Sequence, residues 1–108
     1  MITFEDISKK YQYVAEHMRF CRDAALNDEF PTHTTWIHPP TLARWLYGSI
    51  SAFASEYISA VYTLEFKSLT NYEAEQVNKW AVDLSERLRK YGSEISKKYP
   101  EIVGELRI

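Results

Sequence analysis

One cysteine, three glycines and four prolines in 108 residues exclude several kinds of protein at once. A single cysteine cannot make an intrachain disulfide framework and suits a reducing compartment. So few glycines and prolines leave too little turn material for a multi-turn β-fold, and they argue against low complexity and disorder. Charge of one sign is also lacking: 13 Lys and Arg stand against 15 Asp and Glu, a formal net charge of −2. A polybasic nucleic-acid footprint and an acidic tail are therefore both excluded as the dominant feature.

Long apolar runs are missing too. The nearest approach to a membrane span, Trp45 to Leu64, carries Glu56 together with Gly48, Ser49, Ser51, Ser55 and Ser59. It reads as a buried helix rather than a bilayer helix. The first residues, Met1-Ile2-Thr3-Phe4-Glu5-Asp6, are acidic where a secretory leader would be basic and then apolar. The expectation is one cytoplasmic domain over residues 1–108, large enough to bury its own core.

What is present is helical periodicity. From about Phe4 to Leu26, apolar residues fall at Phe4, Ile7, Tyr11, Val14, Met18, Cys21 and Ala25, alternating steps of three and four. Thr3, with Asp6 three residues later, resembles a helix start. A second helix is expected from about Thr41, as N-cap, to Phe66 after Pro39-Pro40, with Leu42, Trp45, Leu46, Ile50, Phe53, Tyr57, Val61 and Leu64 inside. Tyr47, Ile58 and Tyr62 fall on its other faces, and Gly48 allows a kink or a close crossing. A third is expected from about Asn71 to Lys98, opened by the Thr70-Asn71-Tyr72-Glu73 capping box. Its stripe is Val77, Ala81, Leu84, Leu88, Tyr91 and Ile95. The pairs Glu75/Lys79, Asp83/Arg87, Glu86/Lys90 and Glu94/Lys98 line its wet side, and Gly92 is a place to bend or break. A short helix over about 101–106 follows Pro100. Matched helix lengths and a short connection at Lys67-Ser68-Leu69 predict an all-α, antiparallel bundle of three long helices.

The second helix is apolar nearly all round, which one bundle does not need. Cover from Phe30, Trp36 and the Ile102/Val103/Leu106 tail is one explanation. The other is a twofold homodimer in which Gly48, Ala52, Ser55 and Ser59 let a second backbone approach.

Candidate chemistry is sparse. His17 and Cys21 share a helix face at metal-ligand spacing, and His33 and His38 could complete a site, although Cys21 falls on the apolar stripe. The 28–40 loop holds Phe30, His33, Trp36 and His38 among prolines and threonines. It would either plug the bundle or bind a ligand. Glu56 is the one charge between Arg44 and Glu65, on a wet edge or buried and in need of a partner. There is no nucleophile elbow, phosphate loop, dinucleotide fingerprint or paired E-x-x-E motif. No cofactor is expected. The leading expectation is a non-catalytic module that binds a protein partner, as an inhibitor, adaptor or phage-type accessory protein does. The alternatives are a small-ligand or nucleotide binder using the 28–40 loop, and a metal-dependent enzyme.

Overall fold

The computed structural model describes residues 2–27 and 39–100. Three long α-helices account for most of them: α1 is Phe4–Asn27, α2 is Pro39–Tyr62 and α3 is Asn71–Lys98. A short 3-10 turn at Phe66–Ser68 lies between α2 and α3. Among the described residues the only β-type pairing is an isolated bridge between Ile2 and Leu64. The fold is all-α, as the periodicity requires.

The helix starts follow from side chains that replace missing backbone partners. The Thr3 hydroxyl accepts from the Asp6 amide at 3.2 Å, and the Asp6 carboxylate accepts from the Thr3 amide at 3.0 Å. Hydrogen bonding from Thr3, its backbone amide first and its side chain second, holds the Asp6 carboxyl below the usual carboxylate range. Thr70 and Glu73 repeat the arrangement at the head of α3, at 3.1 and 2.9 Å.

The second helix departs from expectation at both ends. It begins at Pro39, so Thr41 lies inside the first turn and is not the cap. First-turn amides have no intrahelical acceptor, so prolines lose nothing there, and their fixed φ suits the helix. At the far end the helix stops at Tyr62, four residues before Phe66. The Thr63 hydroxyl turns back to the Ala60 carbonyl at 2.8 Å, and the chain leaves through Leu64 to pair with Ile2.

The core is built from one stripe of each helix. Ile7, Val14, Met18, Cys21 and Ala25 come from α1, Ala43, Tyr47, Ile50 and Tyr57 from α2, and Val77, Leu84, Tyr91 and Ile95 from α3. Trp45 and Tyr47 exchange the places the pattern gives them: Tyr47 is buried and Trp45 is exposed. The reason lies in α3. Gly92 is buried, and a Cβ built on it would stand 2.9 Å from Tyr47 Cε1, so its missing side chain makes the room for that ring. Gly92 therefore does not break α3, which runs unbroken through it. Among the described residues nothing lies within 4 Å of a Cβ built on Gly48, so it marks no close crossing between them.

A polar seam joins α1 to α3. The Tyr11 hydroxyl donates to Asp83 at 2.6 Å, and Arg87 donates to the same carboxylate oxygen at 2.7 Å. Arg87 also donates to the Tyr91 hydroxyl at 3.3 Å, and the Arg22 guanidinium lies 4.6 Å from the Tyr91 ring centroid. Arg22 donates in turn to Glu94 at 3.1 Å and Asp23 at 2.6 Å. The expected Glu94/Lys98 pair is thus replaced: Glu94 serves Arg22, and Lys98 donates to the Leu26 carbonyl at the end of α1. Arg22 and Glu94 meet in a part-buried position, where an ion pair is screened less than on a wet face. Glu75/Lys79 and Asp83/Arg87 do close within α3, at 3.5 and 2.7 Å.

Candidate functional site

Three of the sequence-level candidates fall on described residues with chemistry to assess. The His17 ring packs at a tilt against both Tyr13 and Phe53, with centroids at 4.1 and 5.2 Å, and its Nδ1–H donates to the Tyr13 carbonyl at 2.8 Å. Cys21 packs into the core, where burial pushes its thiol pKa up. A protonated, enclosed thiol is a poor ligand and a poor nucleophile. Among the described residues no group of three or more His, Cys, Asp or Glu converges on a point. Glu56 sits exposed on the wet edge of α2 and meets Lys10 at 3.8 Å, so it is not buried. Phe30, His33, Trp36 and His38 lie outside the described residues, as does the 101–106 segment with the tail residues Ile102, Val103 and Leu106.

What α2 presents to solvent is the most unusual surface of the molecule. Its inner side carries Ala43, Tyr47, Ile50 and Tyr57 into the core. Its outer side carries Gly48, Ala52, Ser55 and Ser59, all exposed. Large apolar residues surround them: Trp45 is 54% exposed, Ile58 41% and Tyr62 85%. Arg44 and Glu56 mark the margins, and no charge lies between them along the stripe.

The serines make this face less polar than it looks in the sequence. Ser55 donates to the Ser51 carbonyl at 3.1 Å and Ser49 to the Trp45 carbonyl at 3.3 Å. A helical hydroxyl that bonds to the turn before it has spent its donor on its own backbone.

The sequence pointed to Gly48, Ala52, Ser55 and Ser59 as the close-approach stripe, and the structure places all four together on the open side. It placed Tyr62 off the inner stripe but assigned Trp45 to the core, and Trp45 is exposed. No helix among the described residues is long and apolar enough to cross a membrane. No protein-family model matches the chain, and no curated protein or solved structure does either.

Proposed function

We propose that this protein is a non-catalytic interaction module, of the inhibitor or adaptor kind, that acts by seating the outer face of α2 against a protein partner. The observation that carries this reading is the exposed stripe of Trp45, Gly48, Ala52, Ser55, Ser59 and Tyr62 on a helix whose opposite side packs into the core. Trp and Tyr are the residues that most often dominate binding energy at interfaces, and small residues between them allow a partner backbone to come close. The three helices are read as an antiparallel bundle, which serves here as a rigid mount for that face. The same face supports the twofold homodimer expected from the composition of the second helix.

Affinity capture from lysate of the source cells tests the reading. Wild type is compared with Trp45→Ala/Tyr62→Ala and with Tyr72→Ala, an exposed aromatic at the head of α3. A partner retained by wild type and by Tyr72→Ala but lost from the double variant is the expected result. Retention by all three would place the binding surface elsewhere, and no specific capture by wild type would remove the reading. Far-UV circular dichroism confirms that each variant is folded.

A further inference from the structure

Three tyrosines are buried among the described residues: Tyr47, Tyr57 and Tyr91. A tyrosine enclosed in a core normally gives its hydroxyl a partner. The Tyr57 hydroxyl donates to the Val77 carbonyl at 2.6 Å, and the Tyr91 hydroxyl accepts from Arg87 at 3.3 Å. The Tyr47 hydroxyl has no hydrogen-bond partner among the described residues, although Tyr47 is only 8% exposed. Burial alone raises its pKa, with no bonded or charged neighbour contributing. Among the described residues every side-chain oxygen or nitrogen sealed from solvent has a partner, so this hydroxyl reaches the surface.

Gly92 sets the place where it emerges. A Cβ there would stand 3.2 Å from the Tyr47 hydroxyl oxygen, so the glycine keeps α3 open beside the phenol. Helical spacing puts Arg89 one turn before Gly92 and Ser96 one turn after it, on the side of α3 that meets α2. The Ser96 hydroxyl already donates to the Ser93 carbonyl at 3.0 Å and offers no donor. Arg89 is exposed. The ion pairs within α3 are Glu75–Lys79 and Asp83–Arg87, while Glu94 is turned to Arg22. Arg89 has no ion-pair partner among the described residues. Exposed Lys90 and Lys97 outnumber exposed Glu86 around it, so the local potential is positive.

A phenol and a guanidinium with free donors, in a positive field, suit an acceptor that carries negative charge on adjacent oxygens. We infer that the α2–α3 groove at Gly92 binds an oxyanion, a carboxylate or a phosphoryl group, with one oxygen on the Tyr47 hydroxyl and another on the Arg89 guanidinium. The site is separate from the outer face of α2 and does not depend on what that face binds.

Sodium phosphate and sodium acetate at pH 7 and fixed ionic strength are the probes, with sodium chloride as the reference anion. The chain has three glycines, so glycine-selective nitrogen-15 labelling gives three amide signals, and Gly48→Ala and Gly104→Ala assign that of Gly92 by elimination. The Gly92 signal should follow a saturating curve with at least one oxyanion. Half-saturation is expected on the order of 1–10 mM, the strength of two charge-assisted hydrogen bonds. Tyr47→Phe keeps the ring beside Gly92 and removes only the hydroxyl. Because that hydroxyl has no partner in the fold, the variant should melt with wild type, yet bind about tenfold more weakly. Arg89→Gln should weaken binding by at least as much. Lys79→Gln, which removes an exposed cation paired with Glu75, should not. Saturation by acetate supports a carboxylate source, such as an acidic side chain of a protein partner. Saturation by phosphate alone supports a phosphoryl-bearing ligand. A shift that chloride reproduces, or that stays linear in salt, overturns the inference. So does a half-saturation point unchanged in Tyr47→Phe and Arg89→Gln, which would place the anion elsewhere.

Discussion

Gly48 and Gly92 are the same residue type in two helix interiors, and they answer the same substitution with opposite sign. An alanine at Gly48 meets open space, so only the propensity gain remains. Gly48→Ala is expected to stabilise the chain by about 0.5–1 kcal/mol. An alanine at Gly92 stands 2.9 Å from Tyr47 Cε1, and that ring is itself buried with no free direction to move. The overpacking cost of about 1–3 kcal/mol exceeds the propensity gain, so Gly92→Ala is expected to destabilise by about 1 kcal/mol net. Thermal melts at low protein concentration read both, with shifts of several degrees in opposite directions. A Gly92→Ala variant that melts at or above wild type would show that Tyr47 yields without cost. Adding Tyr47→Leu should recover stability relative to the sum of the single changes, which is the mark of a direct contact.

At the scale of elements, legibility in the sequence tracks whether the deciding interaction is local. The third helix was readable to its ends because Thr70 and Glu73 are three residues apart and complete their own cap. The start of α1 was readable for the same reason through Thr3 and Asp6. The end of α2 carries no glycine or proline stop, and it closes where Leu64 is drawn to Ile2, a contact with no local signature. The exchange of Trp45 and Tyr47 has the same origin: it depends on a glycine in another helix. The seam of Tyr11, Asp83, Arg87, Tyr91 and Arg22 was invisible because it needs the rotation and register of α1 against α3. Of the candidate site, the small-residue stripe was legible by composition, and its aromatic ends were not.

That seam makes a prediction of its own. Asp83 accepts from both the Tyr11 hydroxyl and Arg87, so Asp83→Ala strands a part-buried hydroxyl and a guanidinium together. The expected loss is about 1–2 kcal/mol, held below the cost of a deep charge pair because both ionic side chains are about one-third exposed. Glu75→Ala removes a pair with the same i,i+4 spacing on the wetter side, where the side chains are 63% and 64% exposed, and should change stability by no more than about a few tenths of a kcal/mol. Urea unfolding distinguishes the two. Equal effects would mean that the seam contributes nothing beyond a surface pair.

For the whole molecule, the limit of stability at high pH is set by where its tyrosines are buried. The Tyr57 ring is fully enclosed, and its hydroxyl donates to the Val77 carbonyl at 2.6 Å. Burial, with Tyr11 close by, pushes its pKa up from 10.0 to about 12. Tyr11 and Tyr47 are raised as well, in both cases chiefly by burial. The unfolded chain therefore releases these protons near pH 10, while the folded chain still holds them. Above that pH the unfolded state binds fewer protons, so stability falls as pH rises, and for Tyr57 the fall is spread between about pH 10 and 12. A shift of about two units corresponds to roughly 3 kcal/mol, a sizeable share of the total for a chain of this length. Stability should therefore fall in base while the arginine–carboxylate pairs of Arg22 and Arg87 remain charged. Tyr57→Phe separates this cause from general repulsion. At pH 8 the variant loses a hydrogen bond and should be less stable than wild type by about 1 kcal/mol. At pH 11.5 wild type has lost most of the Tyr57 contribution and the variant has not, so the difference should shrink or reverse. Urea titrations at the two pH values measure it. A difference that stays constant between them would mean that Tyr57 does not govern the alkaline limb.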